Sequence, residues 1–294
     1  MTHSCNGGLV TVTFLSFVAA CNSTKVGDEV KSSKLETHEP AAAIPTSGRL
    51  GESVGFRPTA TVGDAEIPND MIRVLGTEFF MGVEDPKHGE VPGRLVTVPS
   101  FAIDRLEVTV GQYLACQREG KCTSELHDER GCNATSKPAR LNHPMNCVTW
   151  YEADSYCKAV GKRLPTSSEW ELTARGTDRR PYPWGSDLPG EQLCWQGRTG
   201  KARAKTCEVG TYPQGASPYG VLDLAGNVSE YTATVQEGAY PPPIYQVRGG
   251  DYVRDPVDDP NWTPQRVDLG GSGVGNPTYP QVNVGFRCAR DVGR

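Results

Sequence analysis

Ten cysteines occur in this chain of 294 residues, and they limit what it can fold into. Cys5 lies in an apolar N-terminal leader and Cys21 follows that leader, so eight cysteines remain. The eight are Cys116, Cys122, Cys132, Cys147, Cys157, Cys194, Cys207 and Cys288. In an exported chain this even number predicts a disulfide framework. Because no CxxC pair and no Cys/His run at zinc-ligand spacing is present, we do not expect a zinc site.

The N-terminal segment has the features of an export signal. Residues 9–20, LVTVTFLSFVAA, are apolar, too short to span a bilayer, and end in small side chains. The run from Val18 to Cys21 resembles the bacterial lipobox, whose cysteine is acylated and becomes the mature N-terminus. Asn22, by the same resemblance, would not retain the protein in the inner membrane. We therefore expect a signal peptide over 1–20 and a lipid anchor at Cys21, in the bacterial cell envelope and at its outer membrane. A buried N-terminal strand is the alternative.

Composition divides the rest of the chain into a tether and one domain. Residues 21–66 are rich in Ser, Thr, Pro, Ala and charged residues, and a segment with few large apolar groups cannot offset its chain entropy by burial. We expect a disordered tether there and a single domain over 67–294. The 33 glycines and 23 prolines interrupt regular elements, so this domain should be compact and loop-rich.

The charges of the chain argue against one class of partner. The net charge is −5, and the lysines and arginines are scattered along the sequence. A nucleic-acid-binding protein needs a basic face that neutralises phosphates. We therefore do not expect nucleic acid as a partner.

Three helix starts share one pattern. They are Thr109-x-x-Gln112, Thr149-x-x-Glu152 and Thr166-x-x-Glu169. In such a capping box the Thr oxygen accepts a hydrogen bond from a first-turn N–H, and the Gln or Glu accepts one from the N–H of the Thr. Each cap typically contributes about 1 kcal/mol.

The second of these helices indicates the environment of one cysteine. Its apolar face is expected to hold Ala153, Tyr156, Cys157 and Val160, with the helix stopping at Gly161. Cys157 should therefore point inward. A buried thiol of this kind is more often half of a disulfide than a reactive group, because reactive thiolates need an electropositive, accessible setting.

Four segments of the chain are specific when taken together. They are GKRLPTSSEWELTARG at 161–176, YGVLDLAGNVSEYT at 219–232, RGGDY at 248–252 and GFRCAR at 285–290. With HPMNCVTWYEADSYC at 143–157 and YPWG at 182–185, they resemble the formylglycine-generating enzyme family, the sulfatase-modifying factors, over roughly 70–290. The resemblance implies a single α+β domain with little regular structure, related to the C-type lectin fold and stapled by disulfides.

The resemblance also implies a disulfide between Cys157 and Cys288, because relatives join these positions. Proximity in the sequence suggests a second bridge between Cys194 and Cys207. The pairing of the other four stays open; they are Cys116, Cys122, Cys132 and Cys147.

The oxidases of the resembled family use two cysteines that this chain lacks. In those enzymes the two thiols follow the RGG turn and hold the copper(I) at which oxygen converts a substrate cysteine to formylglycine. The corresponding positions here are Arg254 and Asp259. Copper(I) is a soft ion that prefers thiolates, whereas a guanidinium is cationic and a carboxylate is a hard ligand. We therefore expect no copper and no catalytic residue at these positions.

One calcium site of the family has a partial counterpart. The segment from Asp223 to Glu230 resembles a loop in which relatives bind calcium through side-chain and backbone oxygens, a donor set that suits this hard ion. The expected ligands are Asp223, Val228 through its backbone, and Glu230. The alternative is that the two acids only cap turns around Gly226 and Asn227. The HxxxHxE iron motif of another branch of the family is absent.

Two hypotheses about function follow. The first is a non-catalytic envelope lipoprotein that binds a protein, peptide or glycan partner. Its site would lie at the groove that takes substrate in the oxidases, edged by Arg248, Asp251, Tyr252, Arg254 and Asp255. The alternative for the charged residues of this segment is a solvated loop. The second hypothesis is a formylglycine-generating oxidase that acts on sulfatase cysteines, against which the missing thiols argue.

Overall fold

The structure is a computed structural model, and it describes residues 67–82, 84, 92–123, 125–195, 205–235, 243–252 and 277–292. The expected signal peptide, Cys21 and the expected tether lie outside these residues. Within the described ranges, no helix has the length and apolar character needed to cross a membrane.

The regular elements are short and separated by long connections. The strands are β1 Met71–Val74, β2 Thr77–Met81, β3 Arg94–Val98, β4 Phe101–Asp104, β5 Ser229–Val235, β6 Tyr245–Arg248, β7 Val284–Gly285 and β8 Ala289–Asp291. The helices are α1 Val110–Arg118, α2 Trp150–Ala159 and α3 Ser167–Arg175. This is the loop-rich α+β domain that the sequence predicts.

Three small sheets organise the described residues. The first has the order β1-β4-β8, and its strands are antiparallel, so the beginning and the end of the domain share one sheet. The antiparallel pair β2 and β3 forms the second. The third has the order β6-β5-β7, with β6 antiparallel and β7 parallel to β5. This third sheet leads directly into the RGG turn, since β6 ends at Arg248.

The three predicted capping boxes are confirmed. In each box the threonine side chain accepts a hydrogen bond from the backbone N–H of the third helical residue. The backbone N–H of the threonine donates to the side chain of that same residue. The predicted apolar face of α2 is confirmed for three residues but wrong for Val160, which is 40% exposed. Val160 forms the C-cap, where the backbone has left the helical path and turns the side chain outward.

The core has two main apolar clusters. In one, α1 and α2 pack through stacked Tyr113 and Tyr156, with ring centroids 5.5 Å apart, beside Cys157 and Phe286. In the other, Trp170 of α3 lies under the first two sheets. Eight of the nine residues of α3 are buried, so this helix forms the centre of the domain and not its surface.

Four disulfides link the described parts of the chain. The predicted pairs Cys157–Cys288 and Cys194–Cys207 are confirmed. The pairing left open by the sequence is Cys116–Cys122 and Cys132–Cys147. The Cys157–Cys288 bridge spans 131 residues and fixes α2 next to β8. The other three are local, at separations of 6, 15 and 13 residues.

Candidate functional site

The RGG turn that follows β6 is held in a conformation that requires glycine. Gly249 and Gly250 have φ values of 98° and 67°. The carbonyl of Gly249 accepts a hydrogen bond from the N–H of Gly226 at 3.0 Å. A Cβ at position 249 would lie 3.0 Å from the ring of Trp170. The turn is therefore fixed against both α3 and the loop that precedes β5.

We expect Gly249→Ala to destabilise the domain more than the substitution of a glycine whose only constraint is its positive φ. Positive φ costs an L-residue roughly 1–2 kcal/mol, and crowding in a packed core typically adds about 1–3 kcal/mol. Gly120→Ala is the matched control, because Gly120 also has a positive φ of 70° but has nothing within 4 Å of its added Cβ. Urea unfolding of both variants measures the difference. Equal losses would show that the contact with Trp170 contributes nothing.

Tyr252 ends the described part of the turn and lies against a disulfide. It packs with Cys194 and Cys207, and Tyr212 covers the same cluster. Its N–H donates to the carbonyl of Asn227 at 3.0 Å. Burial raises the pKa of the Tyr252 phenol, and the negative charge of Asp251 adds to the rise. The phenol is therefore a neutral group at physiological pH.

The structure corrects the expected exposure of three predicted binding residues. The side chain of Arg248 is buried and donates to Ser167 at 2.6 Å and to Glu171 at 2.9 Å. Asp251 is also buried and accepts from Asn283 at 2.6 Å. Tyr252 is 5% exposed. These side chains hold the turn in place, because Arg248 is bound to α3, Asp251 to Asn283, and Tyr252 packs on the Cys194–Cys207 bridge.

The remaining predicted positions of this segment are not part of the described structure. Arg254, Asp255 and Asp259 all fall in the undescribed range 253–276. The chemistry of Arg254 and Asp259 is therefore argued from the sequence alone.

A polar network on a neighbouring loop was not found by sequence reasoning. Asn133 is fully buried, and its Nδ2 donates to the carbonyl of Pro144 and to Thr206. His143 shares a 2.8 Å hydrogen bond with the same Thr206 hydroxyl. Arg140 donates to Oδ1 of Asn133 at 3.1 Å. His143 and Pro144 begin the segment HPMNCVTWYEADSYC, but Asn133 and Arg140 precede it and Thr206 lies 73 residues beyond Asn133, so this segment did not reveal the network.

The positive charge of Arg140 acts on the surrounding groups. Burial lowers the pKa of His143, and the charge of Arg140 lowers it further. The same charge opposes the rise in the pKa of Tyr252. The charge of Arg140 thus acts on both residues, and it favours the neutral form of His143.

The loop predicted to bind calcium has protein partners for its acids. Both oxygens of Glu230 accept from Arg287, at 2.7 Å each, and one also accepts from the indole N–H of Trp170. Asp223 accepts from the N–H of Gly210 at 2.6 Å. A guanidinium beside Glu230 would repel a cation, so this side chain does not fit the expected ligand role. Calcium binding through the other oxygens of the loop, including the carbonyl of Val228, stays a prediction.

A third carboxyl lies in the same buried cluster. Glu107 accepts from Nδ2 of Asn227 at 2.6 Å. Oδ1 of Asn227 accepts from the N–H of Cys207, so the amide must present its donor side to Glu107. Burial raises the pKa of Glu107 well above its ordinary value, and the charges of Asp223 and Glu230 add to the rise.

The cysteines described by the structure do not offer the ligands that copper(I) requires. All eight are in disulfides, so none of them is available as a thiolate. Among the described residues, no group of three or more His, Cys, Asp and Glu side chains is arranged to hold a metal ion. The polar network of Arg140, Asn133 and Thr206 instead offers a guanidinium, an amide and a hydroxyl, which are groups that bind polar organic ligands.

Comparison with known proteins identifies the domain. The family model of the sulfatase-modifying factor enzyme 1-like domain matches residues 59–292, slightly more than the predicted 67–294. Among curated proteins, the chain is 33% identical to the inactive C-alpha-formylglycine-generating enzyme 2 of Bos taurus, over 79% of this chain and 91% of that protein. It is 30% identical to the formylglycine-generating enzyme of Thermomonospora curvata, over 77% of this chain and 95% of that protein.

The solved structure of PvdO from Pseudomonas aeruginosa has the same fold. It superposes with a TM-score of 0.60 at 23% identity, covering 76% of this chain and 94% of that one. The expected formylglycine-generating-enzyme-like fold, related to C-type lectins, is confirmed. By its sequence match, this chain belongs to the family of sulfatase-modifying factor enzyme 1-like domains.

Proposed function

We propose that this domain is a non-catalytic binding module of the bacterial cell envelope, carried by a lipid anchor at Cys21. One observation carries the proposal: the family's thiol positions hold Arg254 and Asp259, while the eight cysteines of the described domain are all in disulfides. The partner is an envelope protein or peptide, or a glycan.

The framework around the RGG turn supports a binding role. The Cys194–Cys207 bridge packs on Tyr252, and the Gly249 carbonyl is tied to Gly226. Groups that are fixed before a partner arrives lose little conformational entropy on binding, which raises affinity. One relative is itself named an inactive formylglycine-generating enzyme, which agrees with loss of the reaction on this fold.

We expect the purified mature chain, with disulfides intact, to leave a sulfatase-type cysteine peptide unchanged in the presence of copper and oxygen. The reaction needs a thiolate pair to hold copper(I), and neither Arg254 nor Asp259 can supply one. Mass spectrometry of the peptide measures conversion, with the Thermomonospora curvata enzyme as the positive control. Conversion above that of heat-denatured protein would support the alternative, an oxidase that acts on sulfatase cysteines.

The binding role itself is tested by capture from an envelope fraction. We expect the immobilised native domain to retain a specific protein, peptide or glycan, and the same domain after reduction and alkylation to lose it. Because reduction removes the disulfide framework and leaves the sequence intact, the comparison isolates the folded surface. Identical retention by both forms would contradict specific binding.

A further inference from the structure

A polar cavity lies beside the network described above. Its volume is about 230 Å³. Its lining consists of Asp128, Glu129, Arg130, Gly131, Cys132, Thr135, Ser136 and Arg140. Pockets for drug-sized ligands span about 300–1,000 Å³, so this cavity fits a single side chain or terminal group. The Cys132–Cys147 disulfide fixes one wall of the cavity.

Arg140 is held in place from behind by a buried amide. Nδ2 of Asn133 donates to the carbonyl of Pro144, which can only accept, so Oδ1 must face the guanidinium of Arg140. The N–H of Asn133 is also bound, by Oδ1 of Asn146 at 2.8 Å. A guanidinium positioned in this way loses little further freedom when it binds a ligand.

The two arginines of the cavity, Arg130 and Arg140, are its positively charged groups. Neither Arg130 nor Arg140 takes part in an ion pair of the described residues. Guanidinium groups recognise carboxylates through paired, charge-assisted hydrogen bonds. The cavity can therefore accept one carboxylate without breaking an existing ion pair.

The other groups of the cavity are acceptors. The hydroxyl of Thr135 already donates to the carbonyl of His127, and the hydroxyl of Ser136 donates to the carbonyl of Asn133. Their oxygens, with the carboxylates of Asp128 and Glu129, can accept from N–H groups beside a bound carboxylate. A peptide presents this combination. The lining contains no aromatic ring on which the face of a sugar could stack.

We infer that this cavity binds a carboxylate of a peptide segment in the partner, with Arg140 as the principal contact. The inference rests on the proposed binding function and names the chemistry that the site recognises. The carboxylate can belong to an acidic side chain or to a chain terminus, and the experiment below distinguishes these sources.

The test is an NMR titration of the ¹⁵N-labelled mature chain with three small probes. N-acetyl-glutamate methylamide carries a side-chain carboxylate, N-acetyl-glycine carries a terminal carboxylate, and N-acetyl-glutamine methylamide is the neutral control. We expect saturable shifts of amides within 128–140 for at least one carboxylate probe, and binding at least ten-fold weaker for the neutral probe. A charge-assisted hydrogen bond contributes about 1.5–3 kcal/mol, which corresponds to roughly ten-fold or more in affinity.

Variants assign the effect to the guanidinium. Arg140→Gln should reduce carboxylate binding to the level of the neutral probe, and Arg140→Lys should give an intermediate affinity because it keeps the charge without the fork. Arg118→Gln is the matched control, since Arg118 is exposed on α1 and is not part of the cavity lining, so this change should leave binding unchanged. Unperturbed amide shifts in β1, β2, β3 and β4, which contribute no residue to the cavity lining, show that each variant is folded.

Three results would overturn the inference: equal binding of the neutral probe, no saturable shift with either carboxylate, or full binding by Arg140→Gln. Failure of the proposed function is a separate result. A chain that binds carboxylates but converts the cysteine peptide contradicts only the non-catalytic role, whereas a captured partner that binds Arg140→Gln equally contradicts only the cavity.

Discussion

Replacing Arg287 by methionine should lower the free energy of unfolding by about 3–5 kcal/mol, because the change leaves a buried carboxylate without its partner. The side chains of Arg287 and Glu230 are 0% and 1% exposed. The guanidinium also donates to the carbonyls of Asp104 and Leu222, so its loss leaves these acceptors unpaired as well. Many domains of this size are stable by only about 5–15 kcal/mol.

Urea unfolding monitored by tryptophan fluorescence measures this effect, since the indole of Trp170 donates to the same carboxylate. Lys121→Met is the control, because Lys121 and Glu119 form an exposed pair that should contribute at most about 1 kcal/mol. We expect the Arg287→Met loss to be equal in calcium and in chelator, as the partner of Glu230 is a guanidinium. A loss comparable to that of the control would contradict the buried pair.

The double variant Arg287→Met/Glu230→Gln measures the interaction between these two side chains apart from their contacts with other groups. Residues in contact have non-additive effects on stability, and the shortfall from additivity measures their coupling. We expect the double variant to lose less than the sum of the two single variants, because removing both partners leaves no isolated charge. Strict additivity would show that Arg287 stabilises the domain only through backbone carbonyls.

Changing both residues of the Cys157–Cys288 bridge to alanine should lower the free energy of unfolding by an amount similar to that expected for Arg287→Met. The bridge spans 131 residues. In the chain-entropy description, a closed loop of this length stabilises the folded state by about 5 kcal/mol, by restricting the unfolded chain. The bridge also ties α2 to the sheet that contains both the beginning and the end of the domain.

The Cys116–Cys122 bridge is the internal control, since it spans only 6 residues. The same description gives it about 2 kcal/mol. Comparing the two double-alanine variants by urea unfolding, with the other bridges intact, isolates the dependence on loop length. Equal losses would mean that the long bridge acts through local packing of Cys157 and not through chain entropy.

These predictions bear on function because the RGG turn depends on the same interior. Arg248 donates a hydrogen bond to Ser167 of α3, and Gly249 packs against the ring of Trp170. The indole of Trp170 in turn donates to Glu230. Loss of the Arg287–Glu230 pair should therefore also loosen the turn that positions Tyr252. A binding module built on this turn would lose affinity together with stability.

Sequence alone determined the features that depend on neighbours three or four residues apart. The capping boxes at Thr109, Thr149 and Thr166 are local hydrogen bonds, so their residues predict them directly. The segments around RGGDY and GFRCAR identified the family, and through it the fold and the Cys157–Cys288 bridge. The replacement of the family thiols by Arg254 and Asp259 is likewise visible in the sequence itself.

Only the tertiary structure decided which polar groups are buried and what they contact. A local pattern cannot show that Arg248 meets Glu171, 77 residues away, because burial depends on which elements pack together. The same holds for Asn133 and Thr206, separated by 73 residues, which together position Arg140. Long-range packing thus buried the predicted binding residues Arg248, Asp251 and Tyr252 and placed a cavity at residues 128–140, which belong to none of the quoted family segments.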